Sequence, residues 1–449
     1  MTASNISPSR GLDATTLLTV YVVLLLTVPA PMVISPLGTA GGLSTVLAIS
    51  TFFLWFWFQA ARSTRVSTGR QPVRAALLAW VVVMFVVYAH AMSQPIPSDE
   101  ISPADSGMLR LIGMSGIVLA ANEGIPTLIR HRALAKRLVI AVGIAALLGI
   151  VQAVTKQLWV DRITIPGLTS GAAEWTLAAR SGLARPSGTS THPIEYGMVL
   201  TTVLPLAIAL ARSAPSRRWL YRILVCAIGI SVLLAISRSA MVCAAVAVLV
   251  MGWSWPLMTK LRALLSIAVL TTIAFLTVPG LLGTITNLFT GIGDDSSVQS
   301  RTGSYELASE FIGRSPLLGR GFGTFLPKYW ILDNGYLGLL IEGGVLGLIG
   351  LLALIVVGVS VAHRAARHAV DPIDREIARA LVASIAAGAA GLAFFDTFSF
   401  PQSAGVFFVL IGLAGAAWRL NRPVGAPDTS ANPDEARSLE HSVAAPVTT

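Results

Sequence analysis

Long apolar runs recur along almost the whole chain, and they limit what it can fold into. Runs of about 18 residues or more are long enough to cross a hydrocarbon core of about 30 Å. Only 12% of the 449 residues are charged, whereas soluble domains have about a quarter. Lipid offers no hydrogen-bond partners to the backbone, so such runs fold as helices. They do not alternate as the strands of a transmembrane barrel do. The sequence therefore predicts an all-α integral membrane protein.

Hydropathy predicts a bundle of about twelve transmembrane helices. The predicted spans are 14–34, 39–59, 75–92, 106–122, 136–154, 193–211, 219–236, 240–256, 261–280, 334–361, 378–396 and 401–419. Two long gaps interrupt them, at about 155–192 and 281–333. Residues 1–420 thus form one polytopic membrane domain. Residues 421–449 are rich in Pro, Ala, Ser and Thr, and we expect a disordered tail because they cannot bury enough apolar surface to fold.

The positions of the cations predict the orientation, because cytoplasmic loops carry an excess of Lys and Arg. Eighteen of the 32 Lys and Arg residues fall in alternate short loops if the N-terminus is cytoplasmic. They are Arg62, Arg65, Arg70, Arg74, Arg130, Arg132, Lys136, Arg137, Arg212, Arg217, Arg218, Arg222, Lys260, Arg262, Arg364, Arg367, Arg375 and Arg379. The N-terminus, the C-terminus and the tail are therefore predicted inside, and both long loops outside.

The placement of the charged residues and cysteines argues against nucleic-acid binding, a disulfide and a metal site. The net charge of +10 suggests nucleic-acid binding, but most cations lie in short topogenic loops rather than on a separate basic helix. Cys226 and Cys243 fall inside apolar runs and are read as small core residues, not as a disulfide or metal ligands. The Asp294-Asp295 pair is read as solvated, and no metal site is predicted.

Ten cations are predicted on the outer side, against the usual bias, and each needs a local reason. They are Arg110, Lys156, Arg162, Arg180, Arg185, Arg238, Arg301, Arg314, Arg320 and Lys328. An anionic ligand or a carboxylate partner would supply that reason. Arg238 is the clearest case, because its turn between two apolar spans is too short to carry it far from the membrane. It either binds phosphate or snorkels to the interface.

The second long loop carries polar and glycine-rich segments. A helix-like stretch over 302–312 is followed by Gly313-Arg314-Ser315-Pro316-Leu317-Leu318-Gly319-Arg320-Gly321-Phe322-Gly323. Such backbone can turn N–H groups toward an anion, or it can form a tight loop. Asp333 then opens a span and can act as a general base or as a helix N-cap. Glu342 lies about 13 Å deeper along a helix and is expected to orient an arginine.

Taken in order, these motifs resemble the O-antigen ligase/polymerase superfamily. The motifs are Arg185-Pro186-Ser187-Gly188-Thr189 with Pro193, Ser237-Arg238, Arg301 with its helix, Pro316 to Gly323, Asp333-Asn334-Gly335-Tyr336-Leu337, and Glu342-Gly343-Gly344. They cover about 180–350 by motif, and the span layout extends the likeness to the whole chain.

The resemblance implies a metal-independent, inverting glycosyl transfer in cell-surface polysaccharide biosynthesis. The donor would be a polyprenyl-diphosphate-linked glycan and the acceptor a glycan or lipid, at the outer side of the bacterial inner membrane. Neither a nucleotide-sugar donor nor another cofactor would be needed, and envelope-biosynthesis proteins could be partners. Arg238 and Arg301 would hold the diphosphate and stabilise its charge as it leaves.

The resemblance also bears on the general base and on the residues that bind substrate. In the ligases a histidine commonly precedes the motif's asparagine and is proposed as the base. Here that position is Asp333, which favours a polymerase over a ligase, and His192 is an alternative base. The residues expected to bind substrate are Arg180, Arg185, Arg314, Arg320, Tyr336 and Glu342. Solvation at the surface explains Arg180 and Arg185 equally well. A flippase or exporter of lipid-linked glycans and a nonenzymatic scaffold remain the alternative functions.

Overall fold

The computed structural model describes residues 13–61, 71–170, 176–180, 182–290 and 296–422, without the side chains of 289 and 296–304. Fourteen α-helices occur in this described part of the chain. They are α1 (Ala14–Thr27), α2 (Leu43–Ala60), α3 (Pro72–Met92), α4 (Ser98–Gly124), α5 (Leu128–Thr155), α6 (Pro193–Ser213), α7 (Arg218–Leu234), α8 (Arg238–Gly252), α9 (Leu257–Thr277), α10 (Leu281–Thr290), α11 (Ser296–Arg314), α12 (Gly335–His368), α13 (Pro372–Leu392) and α14 (Pro401–Asn421).

Each of the twelve predicted spans overlaps one of these helices, and α10 and α11 are additional. Eight helices are long and apolar enough to cross a membrane: α2, α3, α4, α5, α6, α9, α12 and α14. α1 and α8 are apolar but shorter, with 14 and 15 residues. α13 carries four charged residues near its start. The helical membrane fold agrees with the sequence prediction, and the number of twelve crossings stays a prediction.

The first predicted span, 14–34, was too long, because α1 ends at Thr27. Pro29 and Pro31 follow closely, and proline removes an N–H donor and disfavours helix at the residue before it. The chain instead continues into a short strand, β1 (Met32–Val33), which pairs antiparallel with β2 (Thr169–Ser170). The first long loop is thereby joined to the end of α1.

Both predicted long loops contain regular structure. The first holds a 3-10 turn at Val160–Arg162 and an antiparallel hairpin of β3 (Ala178–Arg180) and β4 (Leu183–Arg185). The second holds α10 and α11, and the helix-like stretch 302–312 lies inside α11 as predicted. The two strand pairs are a small exception to the all-α prediction.

The core is built around α6 and α14. In each, 83% of the most apolar window is buried inside the protein, against 6% in α9 and 11% in α2. α14 packs against α4, α6 and α12, and α6 packs against α7, α8 and α13. α9 and α2 are therefore peripheral helices whose apolar side chains remain available to lipid.

Charged residues from loops predicted on the inner side meet at one end of the bundle. The contacts are Arg130 with Asp13, Arg132 with Asp371 and Asp374, and Arg212 with Glu376. Residues from loops predicted on the outer side meet one another at the opposite end, as the site below shows. The grouping agrees with the two predicted faces, and the assignment of a face to the cytoplasm stays a prediction.

Candidate functional site

Helix α12 is broken at Gly344, where the backbone has φ +63° and ψ −171°. A helix break deep in a membrane leaves polar backbone groups that must find partners within the protein. The loop after α11 supplies them. The N–H groups of Val345 and Leu346 donate to the carbonyls of Pro316 and Leu317, at 2.9 and 3.2 Å. The loop therefore completes the interrupted hydrogen bonding of α12.

Two glycines permit this close crossing of loop and helix. Gly319 has φ +64°, and a Cβ there would lie 2.5 Å from the carbonyl group of Glu342. A Cβ at Gly344 would lie 2.3 Å from the carbonyl oxygen of Leu317. Only glycine combines a positive φ with so little space. The glycine motif near 319 and the one near 344 are thus two halves of a single contact.

This contact decides between the two sequence interpretations of the glycine-rich loop. The N–H groups of Gly319, Arg320 and Gly321 donate to the carbonyls of Ser315, Ile341 and Glu342. They are occupied by the protein's own carbonyls rather than directed at an anion. The interpretation as an anion-binding loop was wrong for these three groups, and the tight-loop alternative describes them.

The same loop is fixed to the start of α4 by charge. Arg320 forms an ion pair of 2.6 Å with the fully buried Glu100, and its guanidinium lies between the rings of Phe311 and Tyr329. Lys328 pairs with Asp99 at 2.6 Å. A carboxylate partner is therefore the local reason for these two cations, which the sequence predicts on the outer side. The structure gives Arg320, expected to bind substrate, a role in fixing the loop.

Arg314 is a third cation, predicted on the outer side, that has a local partner. It pairs with Glu310 one turn earlier on α11, and its guanidinium lies 5.2 Å from the centre of the Phe311 ring. Both partners of the ion pair are largely exposed, so the pair adds little stability. Arg314 lies at the end of α11, and substrate binding there stays a prediction.

A cavity of ≈ 240 Å³ lies beside the start of α12. It is bounded by the segment 325–333 and by the corner between α13 and α14. Three carboxylates, Asp333, Glu342 and Asp396, share its wall with four aromatic side chains. These are Phe325, Trp330, Phe398 and Phe400. Carboxylates and aromatic rings in one pocket suit a polyhydroxylated ligand, because they supply acceptors for hydroxyl groups and flat apolar surfaces.

The N-cap of α12 is Asn334 rather than Asp333. The Asn334 side chain accepts hydrogen bonds from the N–H groups of Tyr336 and Leu337, both at 3.1 Å. The alternative interpretation of Asp333 as the helix cap was therefore wrong. Asp333 remains a partly buried acid on the cavity wall.

Tyr336 and Glu342 are both engaged by the protein. The Tyr336 hydroxyl donates to the Ala389 carbonyl of α13 at 2.7 Å, so its polar end is directed at a neighbouring helix. Glu342 accepts a hydrogen bond of 3.0 Å from the N–H of Phe325, and the Gly323 backbone also donates to it. Glu342 lies in the last turn of α12 before the break. Its bond to Phe325 therefore fixes the position of a segment that forms part of the cavity wall.

Asp396 is a cavity residue that the sequence did not predict, because it falls at the end of the predicted span 378–396. Burial raises the pKa of this carboxyl above its ordinary value. Arg110 of α4 lies within electrostatic reach of Asp396 and Glu342 and donates to the Phe398 carbonyl at 3.0 Å. This acidic corner is the local reason for Arg110, a cation that the sequence predicts on the outer side. An acid directly after an apolar span was the only sign of Asp396 in the sequence.

Two arginines from distant segments lie at the turn between α7 and α8. Arg238 is the first residue of α8, and its guanidinium donates to the Leu288 carbonyl at 3.2 Å. Arg185, at the end of β4, donates from Nε to the Ala235 carbonyl at 3.0 Å. Between them, Ile236 has φ +46°, an uncommon conformation for a β-branched residue that often marks functional sites. We refer to Arg180, Arg185 and Arg238 as the arginine cluster.

Like charges accumulate in this cluster. Arg185 is only 8% exposed, and burial, together with the charge of Arg180 on the same hairpin, lowers its pKa to about 10. In the described part of the chain, no carboxylate lies within ion-pair distance of Arg185. A guanidinium in such surroundings favours an anion such as phosphate.

His192 lies between the arginine cluster and the cavity. Burial and the neighbouring charge of Arg185 lower its pKa to about 4, so the ring is neutral near pH 7. Its Nδ1 accepts the Ile194 N–H at 3.2 Å, which places the proton on Nε2. The ring centre lies 6.5 Å from that of Phe400 on the cavity wall. The capping bond makes His192 a poor base and a suitable hydrogen-bond donor.

The residues after Arg185 are structural. The N–H groups of Ser187 and Gly188 donate to the side-chain oxygen of Gln152, at 3.2 and 2.8 Å. The Thr189 hydroxyl donates to the Leu26 carbonyl at 2.8 Å. The motif therefore ties together α1, α5 and the first long loop, and this support holds Arg185 in position.

Arg301 lies on α11, but its side chain is outside the described residues, as is the Asp294-Asp295 pair. Among the described residues, no group of three or more His, Cys, Asp or Glu side chains could hold a metal ion.

Comparison with known proteins identifies the central segment. A family model described as O-antigen ligase matches residues 223–352, from α7 to the middle of α12. No match to this chain was found among the curated proteins. The matched segment includes Arg238, Asp333 and Glu342, whereas Arg185 and Asp396 lie outside it. Its family supports a glycan-transferring enzyme in general terms. The match over residues 223–352 supports membership of the O-antigen ligase/polymerase superfamily, the family that the sequence motifs resemble.

Proposed function

We propose that this protein transfers a glycan from a polyprenyl-diphosphate carrier to an acceptor hydroxyl, at the outer side of the bacterial inner membrane. Twelve crossings with both termini inside would place the arginine cluster and the cavity on that side. Arginines, rather than a metal ion, would compensate the charge of the diphosphate. The proposal extends the general glycan-transfer function of the family to a donor, a membrane face and a set of residues.

The arginine cluster is the observation that carries the proposal. Arg185 comes from the first long loop and Arg238 from a turn between two helices, yet both lie at Ala235–Arg238. Arginine pairs with phosphate through two parallel N–H bonds. Positive groups held in advance at a leaving diphosphate stabilise the charge that develops on it. Arg301 is proposed as a further diphosphate ligand on the strength of the family resemblance.

The cavity beside α12 is the proposed acceptor site. Asp333 would take the proton from the acceptor hydroxyl, and the hydroxyl oxygen would attack the anomeric carbon. The bond from that carbon to the diphosphate oxygen would break, and the polyprenyl diphosphate would leave with the electron pair. Attack from the face opposite the leaving group inverts the anomeric centre.

Asp396 is the second candidate for the base. A general base works best when its pKa is near the working pH, and burial moves the pKa of Asp396 in that direction. Glu342 and Tyr336 are proposed to position the wall on which the acceptor rests, because their polar atoms are bonded to the backbone.

The test uses the purified full chain in lipid nanodiscs with a polyprenyl-diphosphate oligosaccharide and no nucleotide sugar. Released polyprenyl diphosphate and the length of the glycan product are followed for wild type, Arg238→Gln, Asp333→Asn and Asp396→Asn. We expect release by wild type and a loss of about 10²–10³-fold in rate for Arg238→Gln, as when one group that stabilises transition-state charge is removed. The carboxyl variant with the larger loss identifies the base.

The product separates the possible transfer reactions. A ladder of longer glycans indicates a polymerase, and transfer of the intact glycan to an added acceptor indicates a ligase. Movement of the lipid-linked glycan between leaflets without release of polyprenyl diphosphate would overturn the enzyme proposal and support a flippase.

A further inference from the structure

A basic groove lies at the end of the bundle opposite the arginine cluster. It encloses ≈ 490 Å³ between the end of α8, the last turns of α12 and the first turns of α13. α8 begins at Arg238 and ends at Gly252, a length of about 21 Å at 1.5 Å per residue. The groove is therefore separate from the site proposed for glycan transfer.

Four residues that carry or can carry positive charge line this groove: His363, Arg367, Arg375 and Arg379. No carboxylate lies among its lining residues in the described part of the chain. Three arginines around one opening favour an anion with several oxygen acceptors, because each guanidinium can donate two parallel bonds.

The partners of these arginines leave the groove positively charged. Arg379 pairs with Glu376 at 2.9 Å, and the same carboxylate lies 3.8 Å from Arg212. Arg375 donates to the Ala369 carbonyl at 3.0 Å, which leaves its charge uncompensated. Among the described residues, Arg367 has no carboxylate within ion-pair distance. The Glu376 carboxylate is thus shared between Arg379 and Arg212, and it does not compensate the charges of Arg375 and Arg367.

Apart from Ser254, the remaining wall of the groove is apolar, and it includes an exposed tryptophan. Val250, Met251 and Val382 line it together with Trp253, which is 88% exposed. Tryptophan is enriched where a membrane meets water, and cations are enriched on the cytoplasmic side. A basic pocket with an apolar wall at the end of transmembrane helices matches the chemistry of a phospholipid, with its charged headgroup and acyl chains.

We propose that this groove binds the phosphate headgroup of an anionic phospholipid, with the arginines on the phosphate and the first part of an acyl chain along the apolar wall. Free phosphate shares the headgroup chemistry but would leave the apolar wall unused. The bound lipid would link α8, α12 and α13 at the end opposite the transfer site.

Native mass spectrometry of the full chain, titrated with phosphatidylglycerol and separately with phosphatidylcholine, tests the proposal. The variants are Arg367→Gln and the double variant Arg367→Gln with Arg375→Gln. Arg364→Gln is the matched control, because Arg364 lies one turn before Arg367, is exposed and does not line the groove. Each cation near an anionic headgroup contributes enough for roughly a fivefold change in affinity. We expect about a fivefold loss for the single variant and about 25-fold for the double variant.

Three results would overturn the proposal. The first is equal phosphatidylglycerol affinity in the double variant and Arg364→Gln. The second is equal retention of phosphatidylcholine and phosphatidylglycerol by wild type. The third is displacement of the lipid by millimolar inorganic phosphate, which would indicate a site for the free anion. Circular dichroism of each variant shows whether a loss of binding reflects unfolding.

Discussion

At the scale of single residues, the arginine cluster depends on the shape of the guanidinium as well as its charge. Arg185 uses Nε to bond the Ala235 carbonyl, which leaves its terminal nitrogens for a ligand. Lysine carries the same charge on a single nitrogen and cannot make both contacts in the same geometry. This difference separates a phosphate-binding role from simple surface solvation.

Replacement of Arg185 by lysine tests that difference. We expect the rate of polyprenyl diphosphate release to fall by roughly 10- to 100-fold in Arg185→Lys, since charge is kept but bidentate binding is lost. Arg162→Lys is the control in the same long loop, because Arg162 is exposed and lies 4.6 Å from the Trp159 ring centre. Equal rates in the two variants would assign Arg185 to structure or solvation alone.

Asp396 makes a prediction about pH. A base must be deprotonated to act, so a raised pKa moves the loss of activity on the acid side to higher pH. If Asp396 is the base, kcat/KM of wild type falls with an apparent pKa above the ordinary value of 3.8. In Asp396→Asn we expect a low residual rate from which this acid limb is absent. An unchanged limb in that variant, with loss of the limb in Asp333→Asn, would make Asp333 the base.

The sequence revealed some site residues and concealed others. Arg238 stood out because a cation in a short outer turn opposes the usual charge bias. Asp396 did not, because it directly follows Phe394-Phe395 at the end of an apolar run. The engagement of Tyr336 with Ala389 of α13 depends on tertiary packing, which one sequence does not contain.

At the scale of elements, the break in α12 is the feature that shapes the cavity. The loop after α11 enters the break and then continues into the segment 325–333 that forms the cavity wall. The sequence showed glycines near 319 and near 344, and the interpretation as an anion-binding loop treated the first group alone. Their mutual contact could not be read from residue types or spacing.

Replacement of Gly344 by alanine tests the break. Its combination of φ +63° and ψ −171° is essentially confined to glycine and costs another residue about 1–3 kcal/mol, and the added Cβ would also meet the Leu317 carbonyl oxygen at 2.3 Å. We expect a loss of about 2–4 kcal/mol in unfolding free energy, measured by denaturation in mild detergent. Gly358→Ala in the same helix is the control, since its Cβ would meet only ordinary contacts of 3.5 Å or more. Equal stability of the two variants would mean that α12 is not held in the broken conformation.

At the scale of the whole molecule, hydropathy and charge predicted the layout of the helices better than their ends. All twelve apolar runs overlap a helix, but among the described residues only eight helices meet the length and composition needed to cross a membrane. α1 stops early at prolines, and α13 begins with charged residues that form ion pairs at the end of the bundle predicted to lie inside. Hydropathy averages over such local features, so it could not place these boundaries.

The predicted topology is testable by labelling single cysteines from outside intact cells. In a background of Cys226→Ala and Cys243→Ala, we expect Asp161→Cys and Ile331→Cys to react with a membrane-impermeant maleimide. Ser216→Cys and Val370→Cys should react only after the cells are permeabilised. All four positions are exposed on the protein. Labelling of Ser216→Cys in intact cells would contradict the predicted orientation and place the basic groove outside.

Binding of the donor's leaving group is the most direct test of the account, because it requires neither an acceptor nor knowledge of the sugar. The affinity of polyprenyl diphosphate for the full chain in nanodiscs is measured for wild type, Arg185→Gln, Arg238→Gln and the control Arg162→Gln. We expect both cluster variants to bind at least about tenfold more weakly, in keeping with the loss of a charge-assisted hydrogen bond of about 1.5–3 kcal/mol. Arg162→Gln should bind as wild type does. Equal affinity in all four proteins would show that the arginine cluster does not hold the diphosphate.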